Sequence, residues 1–439
     1  MTGGGPRTEP VEAGAPSYWA ATAGDFPPWA AYPGAGEWDT AIIGAGFTGL
    51  SAAWHLRQQG RTCAVLDARQ PGWGASGRNG GMVVPRMKAT FPELERRFGV
   101  DGALELYRAV HGAVNTLEAM VREAGIDCGF ARSGHLTPFD RGLNQERFEA
   151  DIRWLEDRAG DAAPRVLTAG EAGLRLGTDY YAGAYFEPRG GGIHPLKYCI
   201  GLARALTMRG VPVFGGSPVL SWRRSGGALK VATPGGELRC RTLILATNGY
   251  SDMAGAGRRL KRRIVPVVSS IVATGPLPRD VLQTILPGGE LATDAKRLTN
   301  YYRTTPDGRL LFGGRGGAGA GSPARVYDRL MRDAAAIYPQ LGDARAQYRW
   351  SGRVAVTLDG LPRIGTLEPG VHYAMGYNGR GVAFATYLGR MLAEAACGGP
   401  MKPVALASLP FPRIPFHSLR MPAKQAVMLF YGLLDRLRP

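Results

Sequence analysis

The chain has 439 residues, 45% of them hydrophobic and 20% charged. That composition excludes whole-chain disorder, and the length suggests two or three domains at roughly 150 residues each. The formal net charge of +17 favours anionic ligands. Its arginines are scattered, with one dense run at Arg258–Arg263 and no nucleic-acid-binding module, so the charge reads as a solvated basic surface and no nucleic-acid partner is expected.

Residues 1–36 are rich in Gly, Pro and Ala and predict a mostly irregular lead-in, with Tyr18, Trp19, Phe26 and Trp29 packing locally. The start lacks a basic-then-apolar leader, which predicts a cytoplasmic protein. A short apolar strand at 39–43 then runs into Gly44-Ala45-Gly46-Phe47-Thr48-Gly49. A helical pattern follows from Leu50 to Gly60, and a second strand, Cys63–Leu66, ends at Asp67. Helices are predicted over 93–125, 145–160, 195–210 and 379–397. Strands are predicted at 136–138, 184–186, 211–214, 238–246, 266–274, 309–313 and 347–357. The five cysteines (Cys63, Cys128, Cys199, Cys240 and Cys397) are odd in number, far apart and without a CxxC, so neither a disulfide framework nor a metal site is expected. No apolar run approaches the roughly 18–20 residues of a membrane span.

The order of these elements predicts an α/β fold. A Rossmann-type dinucleotide-binding domain (37–90, 190–262 and 345–400) interleaves with a discontinuous second domain on a mixed or antiparallel sheet (91–189 and 263–344), followed by a tail at 401–439. In the tail, the apolar stretch 426–434 between basic residues reads as an amphipathic helix within 420–439. It would dock on the protein body or touch a membrane surface.

Gly44, Gly46 and Gly49 form a GxGxxG after a strand and before a helix. The first permits the tight turn, the second lets backbone approach a pyrophosphate, and the third lets helix and strand pack closely. Phosphates would then meet unpaired N–H groups at a helix start. Asp67 lies 23 residues after Gly44, close to the ~20 expected of an acid that receives ribose hydroxyls. Downstream, Gly72–Gly81 holds five glycines in ten positions. Such a segment can lay backbone amides along a flat ring and a diphosphate, with Ser76 and Arg78 as donors.

DTAIIGAGFTGLSAAWHL followed by GWGASGRNGG resembles the FAD-dependent amine and amino-acid oxidoreductases of the D-amino-acid-oxidase superfamily, most nearly the γ-glutamylputrescine oxidase-like branch. Ser17–Ala20, Gly191–Tyr198, Leu243–Tyr250, Asn300–Arg303, Arg309–Arg315, Trp350–Gly365 and Gly376–Val382 extend the likeness over most of the chain. The resemblance implies FAD, held without a covalent link. Gly44, Gly46, Phe47, Thr48, Gly49, Asp67, Ala68 and Arg69 would hold its ADP half, with Val219 at the adenine. Gly74, Ala75, Ser76, Arg78, Asn79, Gly80 and Gly81 would line the isoalloxazine and pyrophosphate, with Thr247 and Asn248 on the returning strand. Gly376, Asn378, Gly379, Arg380, Gly381 and Val382 would cap the pyrimidine edge, where N–H groups of a helix start could stabilise negative charge on the reduced ring. His194, Arg303, Arg315 and Tyr377 are the candidate catalytic or substrate residues, with Arg303 or Arg315 reading a more distant carboxylate or amide.

One departure bears on the substrate. Amino-acid oxidases of the superfamily usually carry Trp-x-Gly-x-Arg-Pro, whose Arg pairs with an α-carboxylate. Here Trp350-Ser351-Gly352-Arg353-Val354 places Arg one residue early, and on a strand a shift of one reverses the face. The expected substrate is therefore a small-molecule amine without an α-carboxylate, oxidised to an imine with O2 or another acceptor taking the electrons. The alternatives are an amino-acid dehydrogenase feeding a membrane quinone, a silent FAD-bound partner subunit and a nucleic-acid-modifying enzyme.

Overall fold

The computed structural model describes residues 16–140, 143–252, 255–315 and 323–415, and only the backbone at Leu143, Arg315 and Pro323. Two eight-stranded sheets organise it. In the first, strand Gly36–Ile43 is flanked in parallel by Cys63–Leu66 and Gly236–Leu245, with Val213–Phe214 and Val371–Met375 outside them, also parallel. The 36–43 strand ends in four buried residues, Thr40–Ile43. An apolar strand of this kind suits the centre of a parallel sheet covered on both faces. Helices Phe47–Gln58, Pro195–Met208 and Val382–Ala396 contribute to the core on one face.

The second sheet is mixed. Strands Val265–Thr274, Leu310–Arg315, Asn300–Thr304 and Leu291–Thr293 follow one another in antiparallel order, and Leu291–Thr293 then pairs in parallel with His135–Phe139. The opposite edge is Ala346–Val356, antiparallel to Val265–Thr274. The expected α/β class with a Rossmann-type half and a mixed second sheet is present.

Three allocations change. The 346–356 strand lies in the second sheet, whereas its sequence position placed it with the dinucleotide domain; its register with 265–274 decides this. Helix Phe91–Glu123 buries Leu106, Val110, Val114 and Leu117 in the core shared with Val382–Ala396, so most of it packs on the first sheet's side, while its start contacts Arg147, Asp151 and Trp154. The lead-in is not merely irregular or locally packed: Tyr18–Thr22 is a helix capped by Ser17, and Tyr18 and Trp19 join Leu196, Ile271, Leu311 and Trp350 in one cluster. The hairpin 221–233, the 323–337 helix and the antiparallel strands 363–368 and 371–375 carry no signal read from the sequence. The tail helix at 420–439 lies outside the described residues. Among the described residues no helix is long and apolar enough to cross a membrane, no group of side chains could hold a metal ion, and all five cysteines are free.

Two expectations follow from this packing. A Cβ at Gly49 would sit 1.9 Å from the Gly44 carbonyl oxygen, so Gly49→Ala should pry the helix from the turn. Thermal unfolding should register a loss of about 1–3 kcal/mol or more, with lower retention of FAD. Asp294 closes the turn between strands 291–293 and 300–304 by accepting the Asn300 N–H at 2.9 Å. Burial pushes its carboxyl up to about 7, against the opposing pull of the Asn300 N–H and Lys296. Because the folded value lies above the unfolded one, this group's contribution to stability is intact below about pH 4 and is lost as pH rises through 7. Asp294→Asn should therefore be more stable than the parent at pH 8 by about 2–4 kcal/mol, and the difference should vanish near pH 4.

Candidate flavin and substrate cavity

The turn at 44–49 sits where the central strand meets the first helix. Gly44 has φ +108°, and a Cβ there would lie 2.8 Å from the Ala246 carbonyl oxygen. Only glycine combines that dihedral with that approach. The following helix has Gly46 at its N-cap and no side-chain cap. Its Phe47 N–H donates to Ser76 Oγ at 3.1 Å, which ties the glycine-rich loop to the helix start. Asp67 accepts the Ala45 N–H at 2.7 Å and the Arg69 N–H at 2.8 Å. Burial raises its pKa and these two donors oppose the rise.

The 72–81 loop crosses from this turn towards the second sheet. Asn79 donates to the Ala75 and Ser76 carbonyls and accepts the Gly81 N–H, while Arg78 donates to the Trp73 carbonyl and stacks on the Trp73 ring. A Cβ at Gly80 would meet the Tyr301 ring at 2.9 Å, so the loop can run close beneath that strand only as glycine. On the far side, Asn248 and Asn378 adopt positive φ of 41° and 55°. Non-glycine residues rarely do so, and such positions cluster at binding sites. Asn248 Oδ1 receives the Gly376 N–H at 2.9 Å, and Asn378 Oδ1 receives the Thr357 N–H at 3.0 Å.

These segments enclose one cavity of about 450 Å³. Gly44, Asp67, Arg69 and Val219 line one part of it; Gly74–Ser76, Arg78–Gly80, Thr247, Asn248, Ser269, Tyr301 and Asn378–Val382 line the rest. Gly46, Phe47, Thr48, Ala68 and Tyr377 also reach it. The residues fit FAD: a turn with glycine at its close approaches, a helix start whose N-cap carries no side chain, and an acid at the end of the second strand. Gly49, Gly81 and Gly376 do not line the cavity. They act one layer back, where a Cβ would strike the Gly44 carbonyl, the Ile193 carbonyl and Thr357 respectively.

The candidate catalytic residues fare differently. Tyr377 reaches the cavity, but its hydroxyl is paired with Thr48 Oγ1 at 2.7 Å, and burial raises its pKa. His194 does not line the cavity. Its Nδ1 accepts the Lys197 N–H at the start of helix 195–208, and its Nε2 lies 3.0 Å from Thr22 Oγ1. Burial lowers its pKa to about 4, with Lys197 adding to the effect, so it is a neutral helix cap. Arg303 is also off the cavity; its guanidinium donates to the carbonyls of Gly81, Ile193 and Thr304 and braces the glycine-rich loop from behind. The Arg315 backbone ends strand 310–315, and its side chain lies outside the described residues. Arg353 lines the cavity and is paired with Asp252 at 3.2 Å; Gly352 and Val354 line it too and pair with the cavity-lining Ser269 and Val267.

Several cavity residues escaped the sequence reading: Arg86, Thr137, Arg147, Phe148, Ser269, Thr293 and Lys296. They come from the second sheet and the segments beside it, and none belongs to a spaced motif. Ser269 and Tyr301 are paired through their hydroxyls at 3.0 Å across strands of that sheet.

Residues 39–395 match the FAD dependent oxidoreductase family DAO. The chain is 31% identical to the γ-glutamylputrescine oxidoreductase of Escherichia coli, over 96% of this chain and 98% of that one. It is also 31% identical to the probable oxidoreductase OrdL of Haemophilus influenzae, over 91% and 92%. Among solved structures, glycine oxidase from Geobacillus kaustophilus superposes with a TM-score of 0.72 at 20% identity, covering 85% of this chain and 99% of that one. L-proline dehydrogenase from P. horikoshii superposes at 0.71 and 21%, covering 85% and 96%. The turn, the glycine-rich loop and these matches together make the chain a member of the DAO family of FAD-dependent oxidoreductases.

Proposed function

We propose that this flavoprotein oxidises the C–N bond of an amine lacking an α-carboxylate on the reacting carbon, giving an imine that water hydrolyses to an aldehyde. The observation that carries the reading is the strand 346–356. Gly352, Arg353 and Val354 all line the cavity, and the one arginine among them, Arg353, is paired with Asp252. The strand's one guanidinium in the cavity wall is thus already paired with a carboxylate, which argues against a clamp for a substrate α-carboxylate. The likeness to a γ-glutamylputrescine oxidoreductase supports the same substrate class.

When bound, FAD supplies the two-electron acceptor that takes the hydride and passes the electrons to O2. The protein's part is to hold and orient. The 44–49 turn and Asp67 fix one end of the cofactor, and the 72–81 loop presents backbone along the other. Among the described residues no histidine lines the cavity, and hydride transfer from a free-base amine needs mainly positioning. Enclosure between the two sheets keeps the reacting carbon away from bulk water and in register.

Anaerobic visible spectra of the FAD-loaded protein test this directly. γ-Glutamylputrescine or putrescine should bleach the flavin band, and air should restore it. Bleaching by D-alanine, L-proline or sarcosine alone would overturn the reading, and bleaching that air does not reverse would shift the acceptor to a quinone or another carrier. Arg353→Met should change KM for the amine by less than about threefold, because the side chain serves Asp252 and not substrate. A tenfold or larger rise would place Arg353 at the substrate after all.

A further inference from the structure

Buried arginines demand partners. Arg86 is 5% exposed, and its Nη2 pairs with Asp151 Oδ2 at 3.1 Å. The other oxygen of Asp151 receives the Phe91 N–H at 2.6 Å. Arg86 Nη1 is buried and has no acceptor among the described residues. Arg380 is in the same condition: its Nη1 is buried without an acceptor, and no carboxylate pairs with it among the described residues. Arg147, the third guanidinium of this wall, is neutralised by Glu93 at 2.9 Å. Arg86 and Arg380 thus share one carboxylate, and one positive charge is left over. An uncompensated buried charge is costly, and such groups are normally paired.

The surroundings add neutral donors. Thr137 and Tyr185 are directly opposed across strands 135–139 and 183–187, so their side chains share a face. The Tyr185 ring lies under the Arg86 guanidinium at 3.8 Å. Thr137 Oγ1 and Tyr185 Oη are both buried and unpartnered among the described residues. His135, two residues before Thr137, is wholly buried and held neutral by burial and by the fields of Arg380 and Arg86. Burial first, then Arg86 and Arg147, lower Arg380 itself to about 9, as expected of crowded cations awaiting an anion. Native proteins leave few buried polar atoms unpaired, and here four donors without acceptors gather at one place. Arg86, Thr137 and Arg380 line the same cavity as the glycine-rich loop. The phosphate cradle is a separate structure, the 44–49 turn.

We propose that Arg86 and Arg380, with the Thr137 and Tyr185 hydroxyls, form a subsite for a carboxylate carried at the end of the substrate remote from the oxidised amine. The inference rests on the amine-oxidation reading and specifies the other end of that substrate. It moves the distant-carboxylate role from Arg303 and Arg315 to two residues that the sequence reading had assigned to the cofactor or not singled out. A carboxylate there supplies the missing negative charge and accepts charge-assisted hydrogen bonds from both guanidiniums.

The experiment uses the FAD-loaded protein and two readouts. Calorimetric titration with glutarate, a dicarboxylate that cannot be oxidised, should show binding. Arg380→Gln should weaken it at least about tenfold, and Arg380→Lys should recover part of the loss. Thr137→Val removes an unpaired hydroxyl and should weaken glutarate by a smaller factor; it decides the matter if Arg380→Gln fails to fold. In turnover, the preference for γ-glutamylputrescine over N-acetylputrescine, as a KM ratio, should fall at least about tenfold in Arg380→Gln. If glutarate does not bind the parent protein, or if both variants bind it as tightly, the subsite is overturned even where amines bleach the flavin. If glutarate binding behaves as stated and no amine bleaches the flavin, the subsite stands and the amine reading falls.

Discussion

The structure depends on how closely one helix can approach one strand. At the 44–49 turn, a Cβ on Gly49 would lie 1.9 Å from the Gly44 carbonyl oxygen, and one on Gly44 would meet the Ala246 carbonyl oxygen at 2.8 Å. That contact sets the start of helix 47–58 over the end of strand 36–43. Asp67 and Ser76 then attach to this turn, one through the Ala45 N–H and the other through the Phe47 N–H. The glycine-rich loop is thereby registered against the helix, and the loop in turn lies beneath Tyr301 of the second sheet. A side chain added at the turn would propagate through each of these contacts.

The two sheets contribute different physics to one cavity. The first sheet supplies backbone: glycines, helix starts and two asparagines at positive φ that hold loops in place through their amides. The second sheet and its neighbouring segments supply side chains with charge and hydroxyl groups, among them Arg86, Thr137, Ser269 and Tyr301. Cofactor binding depends on shape and on donors that any sequence with the right glycines can present. Substrate selection depends on which side chains the second sheet turns inward. The framework is shared with glycine oxidase and L-proline dehydrogenase at 20–21% identity, and a shared fold does not by itself fix the chemistry of the wall.

Arginine is used in this wall in several ways. Arg303 spends its donors on loop carbonyls, Arg353 on Asp252, Arg147 on Glu93, and Arg78 on the Trp73 carbonyl and ring. Each is structural by virtue of its partner. Arg86 and Arg380 differ because a buried N–H of each has no acceptor among the described residues. In a chain with 53 lysines and arginines, it is the partner set and not the residue type that separates scaffold from site.

The sequence by itself determined the dinucleotide turn, the glycine-rich loop, the acid at position 67 and the α/β class, because each is a local pattern: backbone conformations that only glycine permits, at spacings set by one strand and one helix. Tertiary structure alone decided what each polar side chain meets. His194 became a cap because Thr22 and the 195–208 helix start surround it. Strand 346–356 joined the second sheet because 265–274 pairs with it across some 80 residues. Arg86, Thr137 and Arg380 came to one wall from three separate segments, and no spacing in the chain records that convergence. Hydrogen-bond partners across long sequence separations are a property of packing, and packing is where this cavity acquires its charge.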